Sequence, residues 1–162
     1  MTTIREAWRF GRAALHHSDS PALDARLLLE HVLGRDHAYL IAHDVEQLTA
    51  DAEATYRLLL DRAAAHEPIP YLIGHAPFLG LEFVVSRDVL IPRPETEQLV
   101  EMAVAWAKGK GALRVVDVGT GSGCIAVSLA RLLPWAEVMA VDVSARALNV
   151  AGRNATRHAP GR

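Results

Sequence analysis

Between Asp117 and Asp142 the sequence gathers residues that could grip a small charged molecule. Gly119-Thr120-Gly121-Ser122-Gly123 begins two residues after Asp117, and Asp142 follows Gly123 by nineteen positions. Glycine reaches backbone conformations closed to other residues and keeps no side chain between the backbone and a ligand. A helix that starts directly after such a turn presents free N–H groups and the positive end of its dipole. An acid at the end of the next strand of a doubly wound sheet points at the hydroxyls of a ribose. The spacing is GxGxG, whereas the dinucleotide fingerprint is GxGxxG. Asp117 would repel an anionic pyrophosphate and would tolerate or welcome a cationic methionine group. Simple electrostatics therefore favours S-adenosylmethionine over a nicotinamide dinucleotide.

Other reactive side chains carry less. Cys124 stands in the first helical turn, where a thiol's pKa can fall, yet it is the single cysteine and no catalytic partner is evident; it reads as a small packed residue. Of the eight histidines, His16 and His17 are adjacent and face different ways on a helix, while His31, His37 and His43 recur every six residues. Neither spacing makes a ligand pair, so no metal site is expected. Glu95 and Glu97 read as first-turn helix charges rather than a catalytic pair. Arg93, held between Pro92 and Pro94, is the better functional candidate on that loop. Trp8, Trp106 and Trp135 read as packing residues.

The elements that must position these groups follow from periodicity. Residues 1–66 read as helices. Trp8, Ala14 and Leu15 recur at helical spacing, and Ser20-Pro21 is a start signal. Leu23, Leu27, Leu28 and Val32 line one face of the second helix, and Gly34 stops it. Tyr39 to Ile41 form a short helical piece. Thr49 or Asp51 opens another helix, with Tyr56, Leu59, Leu60 and Ala63 inward, and Pro68 and Pro70 end it. From Leu72 to Ile91 the pattern turns to that of a β-hairpin. Pro94 opens a helix whose buried stripe includes Leu99, Val100, Ala103, Val104, Trp106 and Ala107. Leu113–Val118 and Val138–Val143 are apolar enough for strands covered on both faces. Cys124 to Leu133 is the helix between them, and Ser144 caps the last helix. The fold class is α/β: a helical bundle and a hairpin, then a Rossmann-like domain. The expected boundaries are 1–74, 75–92 and 93–162.

The bulk numbers exclude several classes. No apolar run approaches the roughly 18–20 residues of a membrane span, and no signal-peptide layout opens the chain, so a cytoplasmic location without membrane association is expected. The net charge is −2, and a chain held mainly by phosphates is usually strongly basic, so direct nucleic-acid binding is not expected. Residues 1–74 hold seven basic and eleven acidic side chains. That acidic excess suits an ordinary solvated surface or a basic protein partner.

Two stretches bring a known family into view. Val115-Val116-Asp117-Val118-Gly119-Thr120-Gly121-Ser122-Gly123 resembles the first motif of class I S-adenosylmethionine-dependent methyltransferases. Val89 to Glu101, with Ile91-Pro92-Arg93-Pro94-Glu95-Thr96-Glu97 at its centre, resembles the signature of HemK-type peptide-chain release factor glutamine N5-methyltransferases. Pro70-Tyr71-Leu72-Ile73-Gly74 and Phe78 to Phe83 also look like that family's hairpin region. The resemblance covers essentially the whole chain, in order.

This resemblance implies methyl transfer from S-adenosylmethionine to the glutamine amide of the Gly-Gly-Gln motif of class I release factors. The helical domain would help to hold that protein substrate. Gly119, Thr120, Gly121, Ser122, Gly123 and Asp142 would bind the cofactor, with Asp117 beside its methionine end and the Pro92–Thr96 loop, including Arg93 and Thr96, close by. The family's Asn-Pro-Pro-Tyr motif is absent. No catalytic residue is therefore assigned, and the chain is expected to be an inactive fragment, cut before the third and fourth strands of its sheet and marginally soluble. A ribosomal-protein glutamine methyltransferase, a non-catalytic binding module and a nicotinamide-dependent oxidoreductase are the alternatives.

Overall fold

The computed structural model describes residues 2–161, which divide into two compact units with the boundary after Ile73. The first unit holds α1 (Ile4–Ala14), α2 (Pro21–Leu33), α3 (His37–Ala42), α4 (Ala50–Ala64) and the short α5 (Ile69–Ile73). Local chemistry explains most of the helix starts. The Thr3 hydroxyl accepts from the Glu6 amide while the Glu6 carboxylate accepts from the Thr3 amide, a reciprocal capping box. Asp36 and Thr49 cap α3 and α4 one way only, accepting from the Tyr39 and Ala52 amides. Ser20 occupies the N-cap position of α2 without a side-chain bond to the helix; its own amide donates to the Ser18 hydroxyl instead. Pro68 and Pro70 do not simply end α4: the chain turns back at once into α5.

The first unit's core is built around α2, which packs on α1, α4 and α5. Leu15, Leu28, Leu29, Leu40 and Leu60 are at most 1% exposed. Leu23, expected on the inner face, is exposed, and Ala25 and Leu29 take that role. Gly11 allows the closest approach. The Tyr56 side chain crosses α1 there, and its hydroxyl donates to the Ala25 carbonyl at 3.0 Å. A Cβ on residue 11 would lie 2.1 Å from that hydroxyl oxygen.

The second unit opens with an antiparallel hairpin, β1 (His75–Phe78) and β2 (Leu81–Val84), turning at Leu79-Gly80. Both turn residues have positive φ, 47° and 71°, as a type I′ turn requires. Then come α6 (Pro94–Ala107), β3 (Leu113–Val118), α7 (Cys124–Leu132), β4 (Ala136–Val141) and α8 (Ala145–His158). The hairpin strands stop at Val84, and the stretch from Val85 to Ile91 is irregular, shorter in strand than the sequence pattern suggests. β3 and β4 are parallel, in register from Leu113 opposite Ala136 to Val118 opposite Val141. Two parallel neighbours need a crossover, and α7 supplies it.

The strands are not covered on both faces. Leu113, Val115 and Val138 pack against the core with Phe78, Phe83, Val100, Leu129 and Leu133. Val116, Val118 and Met139 are 57%, 79% and 50% exposed. Their apolar character suits a two-sided sheet, but among the described residues nothing lies on that second face. Leu99 and Trp106 likewise stand outward on α6, leaving Val100 and Ala107 as its fully buried residues. No helix among the described residues is long and apolar enough to cross a membrane.

Two outcomes follow. Gly11→Ala should destabilise the helical unit by about 1–3 kcal/mol in urea denaturation, because overpacking must displace Tyr56. The loss should shrink in a Tyr56→Phe background, and full additivity of the two changes would contradict the clash. The exposed strip of Val116, Val118 and Met139 should make the chain self-associate as concentration rises in sedimentation velocity. A monodisperse, cooperatively melting monomer would contradict this.

Candidate cofactor site

The loop between β3 and α7 forms because its glycines accept conformations that side chains resist. Gly119, Gly121 and Gly123 have φ of 76°, 55° and 79°. The Val141 carbonyl, at the end of β4, accepts from both the Gly119 and Thr120 amides at 2.8 and 3.0 Å. The Gly123 amide closes the turn onto the Thr120 carbonyl at 2.8 Å, and the Gly123 carbonyl then accepts from Val127 as α7 begins.

Two carboxylates flank this loop. Asp117, near the end of β3, uses one oxygen, Oδ2, for both of its bonds: the Thr120 hydroxyl donates at 2.7 Å and the Ala126 amide at 3.3 Å. Asp142, just past the end of β4, accepts from the Ser144 amide on Oδ1 and from the Gly121 amide on Oδ2, each at 2.9 Å. Those backbone N–H groups, Ser144 first and then Gly121, hold the Asp142 carboxyl below the usual aspartate range. Asp142 is thus an anion that anchors the glycine loop and the start of α8 together.

The site residues expected from the sequence fall into two places. Asp117, Gly119, Thr120, Gly121, Ser122, Gly123 and Asp142 lie together around one loop. The Thr120 and Ser122 side chains are buried, 6% and 2% exposed, so they brace the loop from inside. Arg93 and Thr96 lie at the start of α6; Arg93 is exposed and its carbonyl accepts from the Thr96 amide at 3.0 Å. Burial pushes the Cys124 thiol up, opposite to the lowering that a helix start alone would give. Among the described residues no group of His, Cys, Asp and Glu could hold a metal ion.

A cavity of about 280 Å³ lies between α7, β4 and α8, walled by residues such as Ala126, Val127, Ala140, Leu148 and Ala155. Of the glycine loop it touches Gly123 alone, and neither Asp117 nor Asp142 lines it. It is a gap in an alanine-rich helix–sheet contact, without the polar groups that would orient a nucleoside.

Two contacts of the second unit escape a sequence reading. Glu97 Oε1 accepts from the Leu79 amide at 2.7 Å, fixing the turn whose non-glycine residue sits at positive φ. Nothing in the sequence places the first turn of α6 beside that hairpin. Asn154, 0% exposed, bonds to both Val84 and Ser122. It lies on the inner face of α8 with Ala147, Val150 and Ala151. A polar residue at that spacing is the usable signal, since buried polar groups are nearly always hydrogen-bonded.

Comparison with known proteins follows this division. The PrmC N-terminal domain family matches residues 6–74, and the methyltransferase small domain family matches residues 97–161. A release factor glutamine methyltransferase of Bordetella pertussis is 53% identical over 137 residues, 85% of this chain and 51% of that protein. Relatives of the same description from Koribacter versatilis and Burkholderia pseudomallei are 45% and 48% identical over 157 residues, 96% and 97% of this chain and 56% and 55% of theirs. The chain belongs to the release factor glutamine methyltransferase family. It spans about half the length of the curated relatives it matches. As a member of this family it carries a methyltransferase domain, and the whole glycine loop with Asp142 lies inside the matched part.

The amide bonds to Asp142 carry a pH signature. Because its folded pKa is depressed, its stabilisation is present above the unfolded value and is lost as pH falls through the folded one. The Asp142 Cγ resonance should therefore titrate below an ordinary aspartate, and the Gly121 amide should lose protection only in that acidic range. A midpoint at or above the ordinary value would contradict the two bonds.

Proposed function

We propose that this chain supplies the S-adenosylmethionine-binding half of a methyltransferase that modifies the Gly-Gly-Gln glutamine of class I peptide-chain release factors. The observation that carries the cofactor is the pairing of a glycine loop with two carboxylates of different environment. Asp142 is held as an anion at the end of β4, where it can accept from ribose hydroxyls. Asp117 accepts from Thr120 and Ala126 on Oδ2, so Oδ1 is the oxygen that would face a cation. The donor set thus fits a nucleoside bearing a positive charge and suits a pyrophosphate poorly. Residues Asp117, Gly119 to Gly123 and Asp142 would hold the cofactor, and Arg93 and Thr96 would border it from α6.

When bound, the group supplies a methyl on a sulfonium, ready for transfer to a weak nucleophile. A side-chain amide nitrogen is such a nucleophile because its lone pair is delocalised, so the chemistry rests on positioning. These residues bind and orient the donor. The 162 residues include no Asn-Pro-Pro-Tyr sequence, and no catalytic residue is assigned among them. The helical unit would hold the release factor, with its acidic excess toward a basic partner face. The relatives' descriptions name release factor as the object of methylation, which favours it over a ribosomal protein. A substrate in translation termination implies the cytoplasm.

Isothermal titration should give S-adenosylhomocysteine a clear advantage over NADH, and Asp142→Ala should weaken it about tenfold or more through lost hydrogen bonds to a charged group. Tighter binding of NADH would overturn the cofactor. With labelled methyl donor, the full-length protein carrying this stretch should label the Gly-Gly-Gln glutamine of a release factor. Label on a ribosomal protein alone would overturn the substrate.

A further inference from the structure

Asn154 lies 32 positions from Ser122 in the sequence, yet its side chain reaches the backbone of that loop residue. Its Oδ1 accepts from the Val84 amide at 2.8 Å. Its Nδ2 donates to the Val84 carbonyl at 2.9 Å and to the Ser122 carbonyl at 2.8 Å. The side chain is 0% exposed. One acceptor and two donors are what a primary amide has to offer, and each is matched. Val84 uses its outward backbone groups, the ones that β1 does not pair, so Asn154 ends the hairpin's edge as a further strand would.

One turn earlier on the same helix face, Ala151 touches the loop sterically. A Cβ on Gly123 would lie 3.1 Å from the Ala151 Cβ and 3.2 Å from its Cα. The loop is therefore held from α8 by a packing contact at Gly123 and a hydrogen bond at Ser122, one residue apart. Fixing the Ser122 carbonyl fixes the peptide plane whose other side is the Gly123 N–H, and with it the way the loop turns into α7.

We propose that Asn154 is a positioning residue for cofactor binding: it sets the Ser122–Gly123 peptide in the orientation the cofactor needs and ties that orientation to the β1–β2 hairpin. It acts through the loop and touches no reacting atom. This rests on the cofactor reading above.

Asn154→Asp keeps the size and removes both donors, setting a carboxylate oxygen against the Val84 or Ser122 carbonyl. Asn154→Ala removes all three bonds, and Leu133→Ala is a core change at the far end of α7 that serves as the stability control. The full 162-residue chain is used for each, with thermal unfolding recorded beside S-adenosylhomocysteine titration and amide hydrogen exchange. The expected result is a Kd raised about tenfold or more in Asn154→Asp, with faster exchange at Val84 and Gly123. Leu133→Ala, which opens a cavity and touches no hydrogen bond of Asn154, should lower Tm comparably and leave Kd within about twofold. A folded Asn154→Asp chain with unchanged Kd, or one whose Kd moves only as far as that of Leu133→Ala at equal Tm, would overturn the positioning role. Failure of the unsubstituted chain to bind S-adenosylhomocysteine would instead overturn the cofactor reading, and the positioning role with it.

Discussion

Gly123 is caught between two helices. It opens α7 at positive φ, and a Cβ there would lie only 3.1 Å from the Ala151 Cβ of α8. Any side chain there would be strained in torsion and tight against α8, so the position of the loop is set by contact as well as by torsion. The seating of α8 against the loop depends on this contact. It brings α8 down on the loop, and α8 carries Asn154, whose amide reaches both the loop and the hairpin. It also leaves Ser144 and Asp142, just ahead of α8, beside Gly121.

Asp142 then has one role in the fold and a second in the proposed function. Its amide bonds hold the turn together and keep the carboxylate charged, and the same charge is what would accept from a ribose. Asp117 divides its role by atom, since its bonds to Thr120 and Ala126 fall on a single oxygen. The loop's backbone N–H groups are largely spent in holding its own shape, which leaves the two acids as the charged groups beside it. The helical unit is organised differently. It is a packed bundle centred on α2, with Tyr56 passing over Gly11 and its polar residues mainly at caps and on the surface.

The site was legible in the sequence where local pattern decides structure. Three glycines in five residues, an acid two residues before them and another at the next strand end are brought around one loop as expected. Helix starts at Thr49 and Ser144 and the βαβ order also follow from local signals. The less legible features depend on neighbours. Val116, Val118 and Met139 have the composition of covered strand residues, but exposure is decided by what lies on them. Trp106 has the hydropathy of a buried residue and sits at the wrong angle on α6. Glu97 and Asn154 bond to residues 18 and 70 or 32 positions away, and no periodicity carries such distances.

The most direct test is to map the ligand. The amide spectrum of the chain would be followed as S-adenosylhomocysteine is added. Saturable shifts concentrated at Gly119, Gly121, Gly123 and Val143, with weaker ones at the start of α6, are the predicted result. Shifts centred on the alanine-lined cavity around Ala130 and Ala155, or in the helical unit, would contradict the account, as would a spectrum that does not change.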